Sequence, residues 1–264
     1  MISYFLILFA FFCYMMLETR LLSIKFVNFS LNTAGLRIAH ISDVHINLLF
    51  VPEKRILKAL TKIKPDIVCL TGDYIEKEKD VDKLLIFLNN LTKQYPVYLS
   101  LGNHDHKAFK SDREGFEKYL KSISSTGAIL LNNENIILTK DNKQYRLIGI
   151  DDLKYGKPDI KKALQDISNK EINVALSHNP DIVLSLKNSK IDFLLCGHFH
   201  GGQIWMPFDL EFRLLRNEQL CRQGIKRGKH KVNGINMYIN KGLGNVLLPF
   251  RLFSVPEIAV IQLP

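Results

Sequence analysis

Cysteine is scarce in this chain of 264 residues. The four present, Cys13, Cys69, Cys196 and Cys221, match neither a paired-thiolate metal site nor a disulfide framework. A structural thiolate zinc is therefore not expected, and nothing calls for an oxidising compartment. Cys69 and Cys196 fall inside apolar runs, where a free cysteine serves as a small core residue. No internal repeat and no low-complexity tract interrupts the sequence, so neither a repeat architecture nor a biased tail is expected. Disorder is excluded by composition, since 47% of the residues are hydrophobic and 23% charged, a balance that suits a packed globular chain. The length accommodates one large α/β domain and is short for two. The formal net charge of +10 favours an anionic partner, whether nucleic acid, an acidic lipid surface or a phosphorylated molecule, without choosing among them.

Charge is missing altogether from residues 1–17. That run approaches the lower limit for crossing a bilayer, ~17 residues, and it is apolar on every face rather than along one stripe. It lacks the basic start and small-residue cleavage site of a signal peptide. A buried N-terminal helix is the plainer alternative. The expectation is a single-pass membrane anchor over 1–20, a linker over 21–35 and a globular domain over 36–264. Arg20 and Lys25 follow the segment and no basic residue precedes it, which places the domain on the cytoplasmic face of the inner membrane.

From Leu36 the pattern alternates. Strands are expected over Leu36–Ile41, Asp66–Thr71 and Val97–Leu101, with helices over Pro52–Lys64, Asp80–Leu91 and Asp112–Ser125. Short runs at Ala128–Leu131, Ile136–Leu138 and Tyr145–Ile150 suggest a second sheet, continued by Ile172–Leu176, Ile191–Leu195, Met237–Ile239 and Glu257–Gln262. Polar clusters sit where strands run out: Asp43-Val44-His45, Gly72-Asp73, Gly102-Asn103-His104-Asp105, Ser177-His178 and Gly197-His198-Phe199-His200. Open α/β sheets place ligands at those ends. Alternate residues of an extended segment share a face, so Asp43 with His45, and His198 with His200, are each placed to grip one ion. Asp73 follows a glycine that permits a sharp turn, and its two oxygens suit it to bridge two cations. Such a mixture of Asp, Asn and His suits two divalent cations rather than a thiolate-bound zinc. Two ions about 3.5–4 Å apart clamp an in-line displacement and acidify a water toward a pKa of ~7. Each fragment is weak alone; their order and placement are what is specific.

Taken together, the sequence resembles the calcineurin-like metallophosphoesterases, whose pattern of D-x-H, G-D, G-N-H-D/E, H and G-H-x-H is complete here from about Leu36 onward. The resemblance implies a four-layer αββα sandwich of two mixed sheets. It implies a first metal on Asp43, His45 and His200, a bridging Asp73, and a second metal on Asn103, His178 and His198. His104 would be the catalytic histidine and Asp105 the carboxylate that orients it. The expected ions are Mn²⁺, with Fe²⁺ and Zn²⁺ as alternatives. A finer likeness, through Gly201-Gly202-Gln203, Asn240-Lys241-Gly242-Leu243-Gly244 and Pro249-Phe250-Arg251-Leu252-Phe253, is to a membrane-associated branch that includes bacterial UDP-2,3-diacylglucosamine pyrophosphatases of lipid A synthesis. Phe199 departs from the Thr usual between the two histidines, at a position that holds no metal.

Residues 203–234 mix exposed-type apolar side chains with Arg and Lys, and read either as a solvated basic loop or as a cap that meets an anionic membrane. His106, Trp205, Arg213 and Arg216 are the candidate substrate contacts. The expected activity is hydrolysis of UDP-2,3-diacylglucosamine. The alternatives are a broad phosphodiesterase acting on nucleotides or envelope polymers, and a non-catalytic scaffold. Free nucleic acid is the less natural substrate for an anchored enzyme, and no protein partner is expected. His40, mid-strand, reads as a core residue.

Overall fold

A computed structural model describes residues 2–29 and 35–264. It begins with α1 (Ile2–Glu18) and the edge strand β1 (Ser23–Asn28). Strands and helices then alternate through β2 (Arg37–Ser42), α2 (Glu53–Ile63), β3 (Ile67–Thr71), α3 (Val81–Thr92), β4 (Val97–Ser100), α4 (Asn103–Ala108), α5 (Arg113–Ser125) and β5 (Ile129–Leu130). The second half comprises β6 (Glu134–Lys140), β7 (Lys143–Gly149), α6 (Ile160–Ala163), β8 (Ile172–Leu176) and β9 (Phe193–Cys196). It ends with α7 (Leu210–Leu215), α8 (Gln219–Arg222), β10 (Gly228–Val232), β11 (Ile235–Ile239) and β12 (Glu257–Gln262).

The strands form two six-stranded mixed sheets, ordered β1-β12-β2-β3-β4-β5 and β10-β11-β9-β8-β7-β6. Strand periodicity sorts their side chains into layers. Ala39, Ile41, Val68 and Leu70 face a core shared with α2, α3 and α5. Their neighbours Ile38, Ile67 and Cys69 face the other sheet, where they meet Tyr145, Val174, Leu176 and Leu195. Ala175, Leu194 and Cys196 point outward from the second sheet toward Ala163 and Leu220. The α/β architecture and the paired mixed sheets are therefore as expected.

Local sequence explains the elements. Pro52 caps α2, and Ile56, Ala59, Leu60 and Ile63 form its buried stripe. Each large aliphatic side chain buried there contributes roughly 1.5–3 kcal/mol. The helix stops at Lys64, whose backbone enters the left-handed region and whose N–H donates to the Leu60 carbonyl. Asp112 accepts from the Gly115 N–H and so starts α5.

Two expectations at the N-terminus are corrected. β1 lies within the stretch read as a linker and pairs in parallel with β12; residues 30–34 of that stretch lie outside the described residues. Only Val27 of β1 is fully buried, the weak pattern of an edge strand. The membrane span is the second correction: among the described residues no helix is long and apolar enough to cross a membrane. α1 has 17 residues, about 26 Å at 1.5 Å per residue, against a hydrocarbon core of ~30 Å. Its last turn is also committed to the protein body. The Glu18 carboxylate is buried and accepts the N–H groups of Phe253 and Ser254 at 3.0 and 2.6 Å.

Candidate metal centre

The polar clusters converge at the C-terminal ends of β2, β3 and β4 in one sheet and β8 and β9 in the other. The loops after β2 and β3 stay paired beyond their strands: the N–H groups of Asp43 and His45 donate to the carbonyls of Gly72 and Asp73. Asp43, His45, Asp73, His198 and His200 all have positive φ, between 38° and 74°. Asp and His are among the residues that enter this region, at a cost on the order of 1–3 kcal/mol each. That backbone replaces the extended, same-face geometry expected of Asp43-x-His45 and His198-x-His200. The two histidines of the second pair consequently serve different groups.

One group unites Asp43, His45 and His200; another unites Asp73, His178 and His198, with the ligand-type atoms of each within 4.8 Å of one another. In the first, Nε2 of His200 lies 3.2 Å from both the Asp43 Oδ1 and the His45 Nε2. In the second, the His178 Nε2 lies 3.0 Å from the Asp73 Oδ2 and 3.1 Å from the His198 Nδ1. The same Asp73 oxygen is 3.8 Å from the His45 Nε2, between the two groups. Asn103 joins the second: its amide oxygen faces the His198 Nδ1 at 2.9 Å, acceptor to acceptor. A half-turn of the amide would make a hydrogen bond there, and a cation between the two atoms satisfies both as they stand. Imidazole nitrogens and carboxylate oxygens aimed at one another in buried space fit two divalent cations.

The electrostatics follow the same logic. Burial pushes the His178 ring toward its neutral form, but the carboxylates of Asp73 and Asp43 outweigh it and hold its pKa up to about 10. Burial likewise opposes ionisation of Asp73, yet the surrounding imidazoles keep it well below the usual carboxylate range.

His104 opens onto the cleft, 19% exposed, with Nε2 4.0 Å from the Asp73 Oδ2. The carboxylate on its Nδ1 is Glu76, at 2.7 Å, and Glu76 reaches the His45 Nδ1 with its other oxygen at 2.6 Å. His45, Glu76 and His104 form a third cluster with ligand-type atoms within 4.8 Å of one another; with the His45 Nε2 turned to the first group, Glu76 takes the Nδ1 side of both rings. Against burial, the two histidines draw Glu76 down to about 2. Asp105 does not contact the His104 ring, which corrects its expected orienting role. Its oxygens are consumed by the N–H groups of Gly102, Asp73 and Tyr74 and by the Tyr119 hydroxyl, all at 2.9–3.0 Å. Burial and the Asp73 charge push Asp105 up to about 6 despite these donors. Glu76 escaped notice because a lone Glu in a loop has no periodic signature; its place three residues after Asp73 was the available clue.

The substrate candidates separate. Arg216 lines the cleft over His198 and His200 together with Lys107, Lys154, Leu215, Asn217, Glu218 and Val246. His106 is instead paired to Asp151 at 2.7 Å and borders a neighbouring groove. Trp205 lines a small cavity formed by Gly201, Gly202 and residues of the cap itself, and Arg213 is exposed on α7. Gly197 is required by close approach: a Cβ there would strike the Ser42 hydroxyl and the Asp43 carboxylate. His40 is buried, with Nε2 2.9 Å from the Thr71 hydroxyl, as expected of a core histidine.

Comparison with known proteins accords with this centre. The model of the calcineurin-like phosphoesterase family matches residues 36–202. The chain is 34% identical over 233 residues to the metallophosphoesterase YkoQ of Bacillus subtilis (strain 168), covering 86% of this chain and 83% of the relative. It is 29% identical to the phosphodiesterase YaeI of Escherichia coli (strain K12), covering 88% and 83%. It is 27% identical to the UDP-2,3-diacylglucosamine pyrophosphatase LpxG of Chlamydia muridarum (strain MoPn / Nigg), covering 86% and 83%. Among solved structures, the phosphopantetheinyl hydrolase PptH of Mycobacterium tuberculosis shares the fold, with a TM-score of 0.51 at 11% identity over 79% of this chain and 89% of that one. With the family pattern complete and its residues gathered into two buried groups, the chain belongs to the calcineurin-like phosphoesterase family and is a metal-binding hydrolase.

Proposed function

We propose that the protein hydrolyses a lipid-linked phosphoester or pyrophosphate at a membrane surface, with UDP-2,3-diacylglucosamine as the best single substrate. The observation that carries this reading is the composition of the cleft rim. Lys107, Lys154 and Arg216 surround the metal centre, enough positive charge for an anion with more than one phosphate. Leu215, beside Arg216, leads outward to exposed apolar side chains at Leu214, Phe208, Leu247 and Leu248. This surface is continuous with α1, through edge contact of Phe12 on Phe250 at 4.9 Å and of Trp205 on Phe253 at 5.9 Å. An apolar face ringed by cations suits the boundary between headgroups and acyl chains, where a helix too short to span still anchors. The chlamydial pyrophosphatase supports the choice of substrate at modest identity.

Two divalent ions, which we assign as Mn²⁺ with Fe²⁺ and Zn²⁺ compatible, supply Lewis acidity and an acidified water when bound. The protein's own groups do the rest. Lys107, Lys154 and Arg216 neutralise and orient the phosphoryl oxygens. His104 holds a proton at Nε2 for the departing oxygen, with Nδ1 fixed by Glu76. Leu215 and Val246 exclude water from one side.

The test offers the purified full chain UDP-2,3-diacylglucosamine and a generic aryl phosphodiester, each with Mn²⁺ or with chelator. Metal-dependent release of UMP that far outpaces the aryl diester is expected. Cleavage of the diester alone would discard the lipid substrate and turn attention to nucleotides and envelope polymers.

A further inference from the structure

We propose that Glu218 is the positioning residue for His198, and that through it the cap over residues 203–234 and the second metal subsite tighten together. The inference rests on the dinuclear reading of the centre and not on any choice of substrate.

His198 has one nitrogen on each side of the question. Its Nδ1 faces the His178 Nε2 at 3.1 Å, inside the second group. Its Nε2 points the other way, to the Glu218 Oε1 at 2.9 Å. Both side chains are nearly closed off from solvent, at 6% and 9% exposed. A neutral imidazole carries one proton, and a carboxylate at Nε2 keeps it there. The Nδ1 lone pair is then left for a cation, and the ring plane is fixed. Carboxylates in this relation to ligand histidines change metal affinity by 10–100-fold.

Glu218 differs from the usual orienting carboxylate in coming from the cap rather than from the sheets. Its position is set by a second tie. The N–H groups of Gln219 and Leu220 donate to the Asp181 carboxylate at 2.6 and 2.9 Å, and Asp181 lies three residues beyond His178. Leu220 and Cys221 are buried in the outer core of the second sheet. The base of the cap is therefore fastened to the loops of both second-site histidines, while at its tip Phe208 is 82% exposed. Residues 215–218 between tip and base form the cleft wall. Any coupling through this stretch is reciprocal: if the cap orders His198 for a cation, the cation orders the cap by the same free energy. Metal loading thereby prepares the wall, Arg216 included, before substrate arrives.

The experiment titrates the full chain with Mn²⁺ against a competing chelator and follows trypsin cleavage within the cap at Arg213, Arg216 and Arg222. In wild type, Mn²⁺ should slow cap cleavage at least about fivefold, as reciprocity requires. In Glu218→Ala one of the two ions should lose about 10–100-fold in affinity, with the other unchanged and cap cleavage no longer responsive to Mn²⁺. Glu218→Gln, whose amide oxygen accepts the same proton, should recover most of both effects. Glu218→Asp, shorter by one methylene, should not, and this pair carries the test if the alanine variant fails to fold. Equal affinity of both ions in Glu218→Asp, Glu218→Gln and wild type would overturn the proposal, as would cap cleavage indifferent to Mn²⁺. A wild-type chain that binds a single ion would overturn it together with the dinuclear centre. Loss of the lipid substrate alone would leave it standing.

Discussion

The loops that end β2, β3, β8 and β9 and the cap that overhangs them are built on opposite terms. In the loops, five charged or ionisable side chains stand on left-handed backbone and are buried, with ligand-type atoms turned toward one another. In the cap and the 247–253 segment, large apolar side chains face solvent, Leu247 at 86%, and Arg213 is exposed beside them. The loops hold chemistry that tolerates no displacement, because each ligand is held by several others. On the proposed function the cap holds selectivity, which depends on area and charge rather than on one geometry. The family pattern over residues 36–202 records the first region and stops short of the second, so it carries the hydrolase assignment and not the choice of substrate.

The strongest way to break the comparison is to remove the carboxylate that lies between the two groups. Asp73→Ala should reduce bound metal from two ions per chain to one or none. Hydrolysis should drop by roughly a thousandfold or more, beyond the 10²–10³ typical of losing one stabilising group. Elemental analysis and turnover on an aryl diester read this together. Retained hydrolysis at depleted metal would mean that the centre is not where the reaction occurs.

Next in size is the contrast between two carboxylates that the sequence makes look alike. Glu76→Gln leaves one acceptor oxygen for the two imidazoles it holds; it should lower kcat by about 10²–10⁴, the range for a misplaced general acid, and weaken the ion held through His45 by up to about 10–100-fold. Asp105→Asn should act mainly on stability. It keeps one acceptor oxygen and turns an amide donor toward two of the four buried donors, at about 1–3 kcal/mol for each polar group left unpaired, and a lowered melting temperature would report it. If Asp105→Asn instead left stability unchanged and abolished turnover, the assignment of Glu76 over Asp105 would be reversed.

How much of this could be read beforehand depends on the range over which each feature is encoded. Asp43, Asp73 and His198 announce themselves because residue type, order and strand ends all agree within a few positions. The layers were legible because Ile38 and Ala39 alternate between faces over one short strand. Glu76 and Glu218 gave no such signal, since each acquires its role only when a distant histidine is brought to it. β1 was missed because an edge strand with one buried residue has almost no pattern. α1 was legible as an apolar helix, but its docked last turn was not, because Glu18 finds its partners at residues 253 and 254.

The cap can be tested as a surface. Replacing Phe208 and Leu247 together by serine should lower hydrolysis of a vesicle-borne substrate relative to a soluble diester by about tenfold. Each removed side chain forfeits on the order of 1.5–3 kcal/mol of burial when fully engaged, and partial insertion realises a fraction of that. Vesicles rich in anionic lipid should show the larger ratio, because the cations around the patch add attraction there. An unchanged ratio would leave the cap a solvated loop.

The smallest expected effect joins the two regions at Glu211, which lies in the cap yet is buried. It accepts the N–H of Gln203 at 3.1 Å, just beyond the loop of His200. Burial raises its pKa to about 7 from an ordinary 4.5, although Arg216 and Arg251 pull the other way. The folded chain therefore takes up this proton at a pH where the unfolded chain has lost it. Between about 4.5 and 7 the folded state binds the extra proton, so stability falls as pH rises through that window and levels off above it. Glu211→Gln keeps the acceptor oxygen and removes the ionisation. Melting temperature should then lose part of its decline across the window, and the variant should be the more stable chain at pH 8. A wild-type melting curve that rises from pH 5 to 7 through the same residue would mean that Glu211 is held as a carboxylate by the arginines. The cap would then be bound to the centre by charge as firmly as the loops are.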